Sequence, residues 1–252
     1  MATYVVTGAS RGIGLELVKQ LLARGDVVVA AVRDPSKASN LNALNAANLH
    51  VIKLDVEKPE TIKEAAATLE KQFSSIDCLI NNAGVLGSLA KTSKADASDI
   101  AWVHKVNVLG PLAVTQALLP LIKKGKKKLI ANISSTLGSI GDKEQYMEND
   151  DARRGNAFAV GGLAYKMSKA ALNMQTMSLA AELKDDGITV ICYCPGWVIT
   201  DMGNSGSEAF DGKAAPTLSA EDSIKCQLKL IDSADLSKSG KYFAHTGEPL
   251  PW

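Results

Sequence analysis

The stretch that decides the fold is Tyr4-Val5-Val6-Thr7-Gly8-Ala9-Ser10-Arg11-Gly12-Ile13-Gly14. The short apolar run over 4–7 predicts a strand. Beyond the glycines, Ile13, Leu17 and Leu21, with Val18 and Leu22, recur at helical spacing, so a helix is expected over 14–24, ended by Gly25. The glycines between are spaced G-x-x-x-G-x-G. Glycine permits a tight turn and close backbone approach, and a helix N-terminus just after a strand receives a pyrophosphate. The turn therefore points to a dinucleotide, with Gly8, Ser10, Arg11, Gly12, Ile13 and Gly14 as its cradle.

Outward from this turn, β-rich runs and helical patterns keep alternating. Further strands are expected over 26–32, 49–54, 78–81, 128–133, 189–194 and 241–244. Helices are expected over 36–47, 59–73, 98–124 (kinked near Pro111), 161–184 and 221–231. Such regular alternation implies parallel pairing with right-handed crossovers. The expected architecture is a Rossmann-like α/β fold: a doubly wound, three-layer parallel sheet of about seven strands, in one domain over 1–252. Two polar stretches interrupt it, an insertion at about 141–160 and a loop at about 200–216. Both follow strand ends, where open α/β sheets bind ligands, and are expected to help form a mouth over the site rather than inert surface loops.

Composition narrows the partners. Of 252 residues, 28 are Lys or Arg and 27 are Asp or Glu, giving a net charge of +1. That balance offers no long-range field for nucleic acid or an anionic membrane. The basic cluster Lys123-Lys124-Gly125-Lys126-Lys127-Lys128 lies between a helix end and a strand, where cations favour the helix C-terminus. Neither Cys78, Cys192, Cys194 and Cys226 nor His50, His104 and His245 show metal-ligand spacing, so no metal is expected. The cysteines read as small buried thiols in a reducing compartment. With no targeting segment and no run of 18 apolar residues, the expected location is the cytoplasm.

The second strand ends Ala31-Val32-Arg33-Asp34. An acid about twenty residues beyond the last glycine suits a free ribose 2′-OH, whereas a cation suits a 2′-phosphate. Asp34 argues for NAD. Arg33 and Arg11 together argue for a charge-assisted clamp on the phosphate of NADP(H), with Asp34 starting the next turn. We read the cofactor as NADP(H) in preference to NAD.

Tyr165 and Lys169 are i and i+4 on the helix over 161–184 and so share one face. A nearby ammonium favours the phenolate, making such a pair a credible proton donor and acceptor. A lone Tyr-x-x-x-Lys is a weak signal. Here it has company at the carboxyl edge of the sheet: Asn81-Asn82-Ala83-Gly84, Asn132-Ile133-Ser134-Ser135 and Pro195-Gly196-Trp197-Val198-Ile199-Thr200.

With these motifs assembled, the chain resembles the short-chain dehydrogenase/reductase family in its shorter single-domain form. The resemblance runs from Thr7 to Trp252. Thr200-Asp201-Met202 and the closing Pro-Leu-Pro-Trp252 look like its carbonyl-reductase-like branch, with sniffer-type enzymes and fungal ketoreductases. It implies Tyr165 as general acid/base, Ser135 rather than Ser134 as catalytic serine, and Lys169 as the residue that lowers the tyrosine pKa and holds the nicotinamide ribose. It further implies Asn107 as holder of a relay water, Asp55 and Val56 at the adenine, and Asn82, Ala83 and Gly84 along the cofactor. Pro195, Gly196, Val198 and Thr200 would lie on the nicotinamide side. The implied partner is a small-molecule carbonyl compound, and relatives include homo-oligomers.

Ser135 and Tyr165 lie 30 positions apart, farther than the family usually places them, because of the insertion. Tyr146 inside it cannot form the pair, since position 150 is Asp. Two other readings compete. A catalytically silent NAD(P)-binding regulator or redox sensor would have lost part of the tetrad Asn107, Ser135, Tyr165 and Lys169, which is complete here. A sugar-nucleotide epimerase or dehydratase would be longer, with different glycine spacing.

Overall fold

The computed structural model describes residues 1–143, 161–207 and 214–252. Its frame is one parallel sheet of seven strands: β1 (Thr3–Thr7), β2 (Val27–Val32), β3 (Leu49–Lys53), β4 (Cys78–Asn81), β5 (Leu129–Ile133), β6 (Thr189–Cys194) and β7 (Tyr242–Ala244). Their order is β3-β2-β1-β4-β5-β6-β7, and all six pairings are parallel. This is the doubly wound Rossmann-like sheet that the alternation led us to expect.

Alternate residues of each strand feed opposite layers. Tyr4 and Val6 of β1 face a core completed by Leu17, Val18 and Leu21 of α1 (Gly12–Ala23). Val5 faces the other core, with Ile62 and Leu69 of α3 (Pro59–Gln72) and Val114 and Leu118 of α5 (Gly110–Ile122). Fully burying each such side chain stabilises the fold by roughly 1.5–3 kcal/mol. The first layer also holds α8 (Ala220–Ser233). The second holds α6 (Leu163–Glu182). Cys78, Cys192 and Cys194 are buried and all four cysteines are free thiols.

Three local readings need correction. The helix expected over 36–47 is only a 3-10 turn, Pro35–Lys37, followed by the four-residue α2 (Ser39–Asn42). Serines and asparagines there compete for the backbone: the Asn42 side chain donates to the Pro35 carbonyl, and Asn45 sits at φ 41°. The pattern over 98–124 is α4 (Ala97–His104), a π-helical turn at Lys105–Leu109 and then α5. The irregularity precedes Pro111 because proline offers no N–H to the carbonyl four residues back, that of Asn107. The loop expected over 200–216 opens with a short helix, α7 (Asp201–Ser207), while 208–213 lie outside the described residues. Of the insertion, only Gly141–Lys143 is described, as a 3-10 turn.

Residues Ala97–Ile122 are long and apolar enough on average to cross a membrane by length and composition, although Asp99, His104, Lys105 and Asn107 keep the stretch from being an unbroken run of 18 apolar residues. In the fold, Val103, Val106, Val114, Leu118, Leu121 and Ile122 from this stretch are buried. The basic cluster serves the fold. Lys123 pairs with Asp186 at 2.8 Å, the Lys126 N–H donates to Asp77, and the Lys127 ammonium donates to the Asp232 carbonyl.

Candidate active site

Strand order reverses between β1 and β4, and a cleft of about 570 Å3 opens there at the carboxyl edge of the sheet. The glycine-rich turn forms one wall. Gly8 (φ 66°) and Gly12 (φ 55°) occupy the left-handed region that glycine enters without strain. A Cβ on Gly8 would lie 2.9 Å from the Ala83 Cα. Helix α1 starts at this turn with no side-chain cap and no acid in its first turn. Its first N–H groups are therefore left for an anion, and the wall fits a dinucleotide phosphate.

The turn is fastened to β4 by Thr7, a residue the motif reading passed over. Its hydroxyl accepts from the N–H groups of Asn82 and Ala83, both at 3.0 Å. The Asn82 amide donates back to the Thr7 and Gly8 carbonyls at 2.8 and 3.2 Å. A strand-end threonine was the available signal, but its partners are some 75 positions away.

At the end of β2, Arg33, Asp34 and Lys37 line the cleft. The Asp34 carboxylate accepts from the Ser36 hydroxyl at 2.6 Å and the Ser36 N–H at 3.0 Å, and it lies 3.7 Å from the Lys37 ammonium. The Ser36 hydroxyl, above all, holds its pKa below the usual value. Asp34 thus caps the turn, and the arginine is the group left to an added phosphate. Lys37 adds a cation that the sequence reading did not count. Arg11 lines the cleft too, with its guanidinium 2.7 Å from Asp201 of α7.

Ser10, Ile13, Asp55, Val56, Gly84, Pro195 and Thr200 also line the cleft. The Asp55 carboxylate accepts from the Glu57 N–H at 3.1 Å. Val56 packs against Gly110, where a Cβ would approach it to 2.7 Å. Gly196 and Val198 stand behind the lining. Gly196 (φ 83°) backs onto Leu218 and His245, and Val198 is buried and bridges Leu218. Their part is to shape the turn that presents Pro195, whose carbonyl accepts from Ser223 of α8 at 2.6 Å.

Tyr165 and Lys169 both face the cleft from α6. The Lys169 ammonium donates to the Ile133 carbonyl at 2.8 Å and lies 5.5 Å from the Tyr165 ring centroid. Ser135 sits near enough to the Tyr165 phenol to draw its pKa down, while the Ser134 hydroxyl donates to Asn173 at 2.6 Å. Burial pushes the Tyr165 pKa above its ordinary value, the Cys194 thiol adds to this, and the Ser135 hydrogen bond opposes it. The expected lowering by Lys169 does not prevail: desolvation wins, and the phenol is neutral at pH 7. Asn107 is fully buried. Its amide clamps Val85 from both sides at 2.9 Å and donates to Ser168 at 3.0 Å, so it braces the β4 end and α6 from behind the cleft.

Burial also drives the Lys169 pKa down, from 10.5 to about 8. Between those values the unfolded chain carries a proton that the folded chain lacks, so this group makes stability rise with pH across the window. The stability difference between the native chain and Lys169→Met should shift in favour of the native chain by about 2 kcal/mol from pH 7.5 to 9.5. Urea denaturation of both proteins at the two pH values checks this. A constant difference would refute the depressed lysine.

Sheet, switch-point cleft and glycine-rich turn define a Rossmann-like α/β protein. The chain belongs to the short chain dehydrogenase family, whose sequence model matches residues 2–147 and 153–210. The short chain dehydrogenase gsfK of Penicillium aethiopicum is 36% identical over 264 residues, spanning 100% of this chain and 99% of that one. The NADPH-bound carbonyl reductase from chicken fatty liver superposes with a TM-score of 0.86 at 32% identity, covering 100% of this chain and 99% of its own. Carbonyl reductase Sniffer of D. melanogaster also gives 0.86, at 29% identity with both chains fully covered. The likeness to the carbonyl-reductase branch thus extends from motifs to the whole fold.

Proposed function

We propose that this protein is a cytosolic, single-domain, NADPH-dependent reductase of small carbonyl compounds. The observation that carries the reading is that Tyr165 and a buried Lys169 tied to Ile133 face together into a cleft fitted for a dinucleotide, with Ser135 nearby. Four free thiols agree with a reducing compartment. The NADPH carried by the chicken liver relative is the cofactor we assign, held here by the glycine-rich turn, Arg11, Arg33 and Lys37. When bound, it supplies a hydride to the carbonyl carbon.

The chain's own residues handle the oxygen. The neutral Tyr165 phenol donates its proton as negative charge develops there. The Ser135 hydroxyl shares in polarising the same oxygen. Lys169, tied to Ile133, sets a cation next to the tyrosine ring. Asn107 holds the β4 end against α6, and the Gly8 and Gly12 turn lets phosphate approach the α1 N-terminus. Trp102, Leu109, Met167 and Met174 are exposed apolar side chains on the α4–α6 side, and a homo-oligomer would cover them.

NADPH oxidation measured against a panel of aldehydes, quinones and cyclic ketones tests the activity. Cofactor binding without turnover on the entire panel would favour the silent regulator instead. For the cofactor, Arg33→Ala should weaken NADPH binding on the order of tenfold or more, the loss of one charged hydrogen bond, and leave NADH unchanged. Equal NADPH and NADH affinities in fluorescence titrations, untouched by the substitution, would refute the 2′-phosphate assignment.

A further inference from the structure

The segment after Ser135 is fixed by Ser139 together with the closing Pro251-Trp252. Ser135 caps a short 3-10 turn, Thr136–Gly138, its hydroxyl oxygen accepting from the Leu137 N–H at 3.2 Å. Gly138 packs directly on α6, where a Cβ would lie 2.6 Å from the Lys169 Cβ. Ser139, 1% exposed, then joins two distant parts of the chain. Its hydroxyl donates to the Pro251 carbonyl at 2.8 Å and accepts from the Asp142 N–H at 3.0 Å. Two residues on, the Gly141 N–H donates to the Trp252 carbonyl at 2.7 Å.

The 250–252 segment is itself anchored to the sheet. The Leu250 N–H donates to the Tyr242 carbonyl of β7 at 2.9 Å. The Trp252 ring stacks on Tyr242 at 5.6 Å and 20°. Leu250 and Trp252 close a small apolar cluster with Cys192, Cys194 and Tyr242. A continuous path therefore runs from the β6–β7 edge through Trp252 and Pro251 to Ser139, and from there back to Ser135.

We propose that Ser139 and Trp252 are positioning residues for the proposed reductase: together they hold the far end of the Ser135 turn, so that the serine hydroxyl keeps its place against Tyr165. This inference rests on the assignment of Ser135 and Tyr165 made above. β5 holds one end of the turn and Gly138 rests on α6. The two carbonyls of the 250–252 segment, buttressed by the Tyr242 stack, fix the other end.

The test uses NADPH oxidation with 4-nitrobenzaldehyde as carbonyl probe, alongside NADPH titration. Ser139→Ala and Trp252→Ala should each lower kcat about tenfold or more, the cost of misplacing a reacting group by a fraction of an ångström, with the NADPH Kd within twofold of native. Trp252→Phe keeps a ring on Tyr242 and should restore most of kcat. In a Ser135→Ala background, neither Ser139→Ala nor Trp252→Ala should lower kcat further, because both act through Ser135. Native kcat in both single variants would overturn the proposal. So would an equal loss in the Ser135→Ala background, which would mark a merely structural effect. If Ser135→Ala itself kept native turnover, the assignment of the serine would fall instead, and the two failures are distinguishable.

Discussion

Tyr165→Phe should lower kcat by roughly 10^3-fold while leaving the NADPH Kd within about threefold, since general acid catalysis and oxyanion stabilisation each contribute factors on the order of 10^2–10^4. The substitution removes one hydroxyl and keeps the ring beside Lys169. Losing one hydroxyl hydrogen bond costs only about 1 kcal/mol of stability. A folded, cofactor-binding and inactive protein is the expected product. The phenol is protonated at neutral pH, as an ordinary tyrosine is, and burial raises its pKa further; this is the form that reduction requires, since it must give a proton to an oxygen becoming an alkoxide. Undiminished kcat with intact NADPH binding would remove Tyr165 from the mechanism.

Gly14→Ala should weaken NADPH binding on the order of tenfold to a hundredfold, the affinity equivalent of an overpacking cost of about 1–3 kcal/mol. Gly14 lies in the first turn of α1. A methyl there would sit 2.6 Å from the Asn82 amide nitrogen and 3.0 Å from the Ala9 Cα, and would also collide with the Gly8 carbonyl. Those atoms are tied down, because the Asn82 amide donates to both the Thr7 and Gly8 carbonyls. The helix has to move instead, and its N-terminus leaves the anion position. Titration of the purified variant with NADPH reads the effect directly. Native affinity would show that the turn tolerates the displacement and that the cradle is not set by this contact.

The parts of the site that were legible are those whose physics is local. Gly8, Gly12 and Gly14 announce a turn and a helix start over seven positions, and Tyr165 and Lys169 announce a shared face over one helical turn. The alternation of Val-rich strands with amphipathic helices prescribes a parallel sheet, because each element's burial pattern is written along itself. Where local signals conflict, reading fails. The stretch 36–47 has helical apolar spacing but is crowded with serine and asparagine, and their side chains take the backbone groups a helix needs. Pro111 was expected to kink a helix. Its missing N–H is accommodated one turn earlier, in the π turn that carries Asn107.

Other choices needed the folded chain. Arg33 and Asp34 are adjacent, and the sequence favours NADP(H) through Arg33 and Arg11 without saying what engages Asp34. In the structure the Asp34 carboxylate accepts from Ser36, and Arg11, Arg33 and Lys37 line the same cleft. Ser134 and Ser135 follow the end of β5, and which of them meets Tyr165 depends on how α6 lies across that strand. Thr7 against Asn82, Ser223 against Pro195, and Ser139 against Pro251 join positions between 28 and 112 apart. Sequence by itself determined the sheet, the cofactor turn and the Tyr–Lys pair, because hydrophobic periodicity and backbone sterics act between near neighbours. Only the tertiary structure decided which distant groups lie beside these residues, such as Asn82 against Thr7 and Pro251 against Ser139, because hydrogen bonds are directional and their partners meet only after the sheet has formed.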